Sequence, residues 1–308
     1  MEFFKNMAVI ALLITVASAQ AQQLKLNDPN GTNAVISSAK TYSRIIIGQD
    51  QPNNALEITT GGQANVDSLV DIGQQLGATN SSLVVGNGGL MVIGEVNTNN
   101  LPVSGIVVGD SAGTGDLKVG FDSNVETDHL VVGAGADETG RVAARNGGDI
   151  IVADTLVIGT TNNSGNALTI DDESSLTISE TANLEINNAT GATDDLNNLT
   201  IKSGGSLLVK GDVDASALSS SEGVIFESRA TLGVGGTLTT KNNSINNGFY
   251  VLLDNALSTN HTAQWSADYM DIGTSTSDNS LIVRNGATAR STNDVSIGTD
   301  STAQKNIL

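Results

Sequence analysis

The chain has 308 residues, 39% of them hydrophobic and only 3% aromatic, with 34 glycines and no cysteine. With 33 acidic against 14 basic residues the formal charge is −19, which repels phosphate backbones and excludes nucleic acid as a natural partner. The lack of cysteine excludes disulfides, zinc–thiolate centres and thiol catalysis, so the fold must rest on burial and backbone hydrogen bonding.

At the N-terminus, Lys5 precedes an apolar run from Met7 to Val16, followed by the small-x-small site Ala17-Ser18-Ala19 and a second candidate site at Ala19-Gln20-Ala21. The run is too short to span a bilayer, which takes about 20 residues. Residues 1–19 therefore read as a cleaved secretory signal, and 20–308 as a single repeat domain. No cysteine follows the cleavage site to carry a lipid anchor, and no second apolar stretch reaches membrane-spanning length.

From residue 45 onward the chain repeats itself. Seven short runs end alike in glycine: Ile45 to Gly48, Val70 to Gly73, Ile106 to Gly109, Leu130 to Gly133, Leu156 to Gly159, Met270 to Gly273 and Val295 to Gly298. Where the register is unbroken, neighbouring glycines lie 25, 24, 26 and 25 residues apart, while 73 to 109 is an irregular 36 that contains an extra Leu83-Val84-Val85-Gly86. Second strands such as Leu56-x-Ile58 and Val142-x-Ala144 put apolar residues at i and i+2, and a glycine or Asn-Gly turn follows. Leu168-x-Ile170, Leu176-x-Ile178 and Leu184-x-Ile186 recur every 8 residues, as do Leu199-x-Ile201 and Leu207-x-Val209, and three such intervals make 24.

That arithmetic predicts a right-handed parallel β-helix of about 24 residues per coil, with three short strands each placing two apolar side chains inward. A slim aliphatic interior suits the low aromatic content. A β-propeller would show a blade signature, and a β-sandwich would leave the repeat without a purpose. Ser179 to Ser266 breaks the glycine spacing and concentrates Phe226, Phe249, Tyr250 and Trp265, which predicts loops projecting from the stack.

The stretch LVVGAGADETGRVAARNGGDIIVADTLVIG, Leu130 to Gly159, resembles the repeat of autotransporter passengers and of PEP-CTERM-associated secreted proteins. The likeness spans roughly Ile45 to Gly159 and again Met270 to Gly298. It implies a secreted or surface-displayed β-helical stalk or adhesin-like segment and no catalytic residues. Neither a membrane barrel nor a PEP-type tail follows. The sequence stops at Leu308, partway through a unit begun at Val295, so a fragment or a partner-covered end is expected.

No residue announces a reaction. Gly113-Thr114-Gly115-Asp116-Leu117 is one imperfect copy of a calcium-binding nonapeptide and reads as a glycine-rich corner. Asp171-Asp172-Glu173 and Asp194-Asp195 read as solvated turns rather than calcium sites. His129 and His261 lack any catalytic context. Arg141 and Arg145 could neutralise an acidic sugar, but Arg145 aligns with Arg284 at a repeat corner, which favours a structural role. The remaining candidate is the aromatic group Tyr250, Trp265 and Tyr269, either a sugar-stacking ligand face or packing inside the coil. The expectation is a non-catalytic structural repeat module, adhesin-like or matrix-forming, outside the cell or on its surface, without cofactor or metal. Its partners would be a cell-surface polysaccharide or another envelope protein. The alternative is a carbohydrate-active β-helix enzyme, lyase or hydrolase, or a carbohydrate-binding module.

Overall fold

The computed structural model describes residues 22–93, 104–110, 113–134, 139–159, 165–179, 183–186, 198–202, 205–210, 213–215, 223–226, 231–235, 237–240, 242–245, 250–257, 262–267, 269–272 and 279–298. These form short strands joined by tight corners, and among the described residues the only helix is a 3-10 turn at Asn255–Leu257. No helix among them is long and apolar enough to cross a membrane.

Every strand pairing is parallel, and each strand pairs with those of the coils before and after it, which defines a parallel β-helix. Three faces recur in order. The first is seen in Leu90–Ile93, Ser175–Ile178, Ser206–Val209, Thr231–Val234, Tyr250–Asp254 and Ser280–Arg284. The second is seen in Gly105–Val108, Asn183–Ile186, Val213–Ala215, Thr237–Thr240, Gln264–Ala267 and Thr288–Ser291. In Ala39–Ile47, Gln63–Ile72, Asn124–Val132 and Asp149–Ile158 one strand runs through both faces, bending at a register shift in between. These two faces make one 17-stranded sheet. The third face is an 8-stranded sheet from Asn33–Ile36 to Gly223–Phe226, then a 3-stranded sheet of Asn242–Ile245, Tyr269–Ile272 and Val295–Ile297.

The interior is a column of aliphatic side chains. Leu168, Ile170, Leu176, Ile178, Leu199, Ile201 and Val209 are wholly buried, and Leu184, Ile186 and Leu207 nearly so. Alternation with half-exposed neighbours along each strand follows from the two-residue period of extended backbone. Each such residue contributes about 1.5–3 kcal/mol by leaving water.

Corners are where the repeat is specified. Gly48, Gly73, Gly109, Gly133, Gly159 and Gly298 all adopt positive φ, between 58 and 78°. Each donates its N–H to the carbonyl that ends the equivalent strand one coil earlier: Leu26, Ile47, Ile72, Val108, Val132 and Ile272, at 2.8–3.0 Å. Buried polar side chains complete some turns. Asn54 Oδ1 accepts from the N–H groups of Asp28 (3.0 Å) and Thr32 (3.2 Å), and Asn166 Oδ1 from that of Gly140 (2.6 Å).

One sequence expectation is corrected. Leu83-Val84-Val85-Gly86 is not an insertion: Ser81–Val85 is an ordinary strand of the third face, and the surplus of the long interval lies between Ile93 and Ser104, outside the described residues. While most of the connections where loops were expected lie outside the described residues, the described strands between 179 and 266 stay in the stack, each pairing in register with its neighbours. Their closing residues differ because several corners there lack the aliphatic–glycine ending, while the inward positions keep their period.

Two ion pairs bury their carboxylates equally but differ in how fully they are hydrogen-bonded. Burial raises the Asp71 carboxyl above its usual range despite the hydrogen bond from Arg44. Asp254 is held below that range by the N–H of Ala256 (2.9 Å), then by Asn285 (2.7 Å) and Arg284 (2.6 Å). The stabilisation from Asp254 is therefore complete above the unfolded value, about 3.9, and lost as pH falls through the lower folded value. Acid titration of stability checks this: the advantage of the parent chain over Asp254→Asn should be steady near pH 7 and vanish at strongly acidic pH. A pH-independent difference would contradict it.

The corners yield a second test. A Cβ on Gly133 would lie 2.1 Å from Asn166 Oδ1, whereas one on Gly88 meets nothing within 4 Å, though both have positive φ. Gly88→Ala should cost about 1–2 kcal/mol from backbone strain alone. Gly133→Ala should cost clearly more, because it also displaces the buried Asn166; denaturant titration of both variants compares them.

Candidate functional site

The three aromatics proposed from sequence are not brought together. Tyr250 heads a first-face strand, Trp265 lies in a second-face strand, and Tyr269 heads a third-face strand. Trp265 is only 1% exposed and belongs to the aliphatic column, so it offers no surface for a ligand. Its strand pairs in register with those of the coils on either side, placing Trp265 level with positions 238 and 289. Tyr269, on a third-face strand, is 45% exposed. Trp265→Ala should therefore lower stability by about 3–5 kcal/mol, as for a buried aromatic, measured by denaturant unfolding. A loss below about 1 kcal/mol would contradict its place in the core.

The other sequence candidates fall on corners. His129 Nε2 lies 3.0 Å from Asp154 Oδ2 at a bend between the first and second faces. Asp172 and Glu173 occupy a turn with both residues at positive φ. Asp194, Asp195 and His261 lie outside the described residues. Among the described residues no group of three or more acidic or histidine side chains could hold a metal ion.

The structure instead assembles a site on the outer surface of the 8-stranded sheet. Its strands Thr114–Gly120, Thr139–Arg145 and Ala167–Ile170 alternate strictly, with Leu117, Val119, Val142, Ala144, Leu168 and Ile170 buried. The intervening residues must point outward, and register sets their order. Asp116 pairs with Arg141, Lys118 with Ala143, and Gly120 with Arg145. Lys118, Arg141 and Arg145 thus share one surface, all exposed, on a chain carrying only 14 basic residues. They border a shallow groove of about 510 Å³ floored by Val84, Ala143 and Ala167. Asp116 and Arg141 also line an adjoining depression reaching Asn80, Thr114 and Thr139. Among the described residues none of the three cations is held in a salt bridge.

Phe121 closes one end of the groove. It is 60% exposed and has φ of 54°, with Asp122 following at 56°. The corresponding turns of the adjoining coils are Asn87-Gly88 and Asn146-Gly147, also with positive φ, and backbone hydrogen bonds tie them to Phe121-Asp122. Asparagine and glycine suit this left-handed turn, whereas a β-carbon with a ring strains it by about 1–2 kcal/mol. A large apolar side chain that is both strained and exposed is a position where stability has yielded to something else.

Sequence reasoning set Arg145 beside Arg284, and the structure separates them. Arg284 ends a first-face strand and pairs with Asp254, while Arg145 ends a third-face strand at the groove. Lys118 and Phe121 were missed altogether. The signal for Phe121 is present in the chain as a Phe-Asp turn where flanking repeats carry Asn-Gly. Comparison with family models, with curated proteins and with solved structures finds no match for this chain.

Proposed function

We propose that this chain is an exported, surface-displayed structural module, an adhesin-like or matrix-forming β-helix that works by presenting its flanks rather than by catalysis. The observation that carries this reading is the separation of scaffold from surface. One aliphatic column and the parallel backbone pairing hold the described coils together, and the outward cations Lys118, Arg141 and Arg145 of the third face take no part in either. The groove fits that role. It gathers three cations around one carboxylate, Asp116, a composition suited to holding an anion rather than to the paired-carboxylate chemistry of glycoside hydrolysis. The N-terminal pattern supports export, because its short apolar run ends in small residues just ahead of the first strand at Gln22.

N-terminal sequencing of the protein recovered outside intact cells tests the reading. The mature chain should begin at Gln20 or Gln22, and brief protease treatment of intact cells should remove any cell-associated portion. A chain that keeps Met1 and resists protease until the cells are lysed would overturn it.

A further inference from the structure

We infer that the basic groove on the third face is a binding site for an acidic polysaccharide, with Lys118, Arg141 and Arg145 holding its carboxylates and Phe121 packing against a sugar ring. The inference rests on the surface-module reading and names the ligand class for that module.

The argument begins with spacing. Arg141 and Arg145 lie four residues apart on one strand, about 13 Å, and Lys118 sits between them on the adjoining coil, about 8 Å from each. The cations are therefore spread along a line rather than focused on one point. Such a row matches an extended polymer bearing one carboxylate per unit better than a compact dianion. Arginine presents a planar fork to a carboxylate, and lysine a mobile point charge.

The uncharged parts of the groove narrow the choice. Its floor of Val84, Ala143 and Ala167 is apolar and flat, suited to the C–H face of a sugar. The adjoining depression offers Asn80, Thr114 and Thr139, the donors and acceptors that hydroxyl groups require. Asp116 can accept from a sugar hydroxyl, and its charge directs the ligand's carboxylates away from itself towards the three cations. Single-stranded nucleic acid is held by a series of aromatic platforms, and the described groove has one aromatic ring. The net charge of −19 opposes any polyanion, but screening over about 8 Å confines that repulsion and lets a local cluster of cations dominate its own neighbourhood.

Phe121 supplies an independent sign. Asparagine would satisfy the turn as it does at Asn87 and Asn146, so the strained exposed ring is explained by contact with a ligand. Phe121→Asn should therefore raise the melting temperature while weakening binding, an opposition that a merely structural residue would not show.

Calorimetry with the full exported chain provides the test, using hexagalacturonate, its methyl ester, hexaglutamate and a thymidine hexanucleotide as probes. Hexagalacturonate should bind, more weakly as salt rises, and its uncharged methyl ester should bind at least tenfold more weakly. Lys118→Ala, Arg141→Ala and Arg145→Ala should each reduce affinity about threefold to tenfold without lowering the melting temperature. The proposal is overturned if hexagalacturonate does not bind at millimolar concentration, if the triple alanine variant binds as the parent does, or if the peptide or nucleotide binds as well as the sugar. An absence of binding by a chain still recovered outside the cell would remove this ligand and leave the surface-module reading standing.

Discussion

From Gly48 to Gly159 the stack is pinned by one hydrogen bond repeated at the corner that ends the second face. A strand ends in an aliphatic residue, a glycine turns the chain through positive φ, and its N–H meets the carbonyl ending the strand below. Glycine is required at Gly73, because a β-carbon there would come within 2.2 Å of the Thr114 carbonyl in the neighbouring backbone. The bond sets the register of the next coil. Since side chains alternate with a period of two, register in turn decides which residues face inward. An error at one corner would turn an entire strand's apolar set toward water.

This division of labour explains how a chain with no disulfide and few aromatics holds together and still has surface to spare. Backbone pairing and corner geometry specify the coil, and the interior asks only for aliphatic volume. Even Trp265 joins that interior column. Polar groups drawn inside at corners, such as Asn54 and Asn166, are satisfied by backbone partners and tie one coil to the next. Coil-to-coil side-chain bonds such as Ser104 to Asp128 (2.6 Å) and Ser68 to the carbonyl of Ser43 (2.6 Å) reinforce the edges. The outward positions of the third face are released from these duties, and there the acidic chain gathers a row of cations.

The β-helix was legible in sequence because its two constraints leave marks that composition cannot hide. Positive φ demands glycine at Gly48, Gly73 and Gly133, and a buried strand face demands pairs such as Leu168 and Ile170. The groove was not legible, for a physical reason. The same turn chemistry serves every corner, so Arg145-Asn146 and Arg284-Asn285 look alike in sequence although they end strands on different faces. Only pairing across coils shows that Lys118, Arg141 and Arg145 meet, because they join one surface through register rather than through proximity in the chain. Trp265 misled for a related reason. Aromatic residues are read as surface anchors when an interior is thought too narrow, yet this interior takes in the indole of Trp265.

Register between coils is the claim on which the rest stands, and the absence of native cysteine allows it to be measured directly. Ala143 and Thr169 are stacked partners on adjacent coils, whereas Ala143 and Ala167 are offset by two residues. Partners in register lie about 4.8 Å apart at Cα, within the range a disulfide requires, and the offset pair lies about 8 Å apart, beyond it. Mild oxidation of the Ala143→Cys/Thr169→Cys chain should give an intramolecular disulfide, while Ala143→Cys/Ala167→Cys should stay reduced. Equal cross-linking of the two pairs, or preference for the offset pair, would contradict the stack described here.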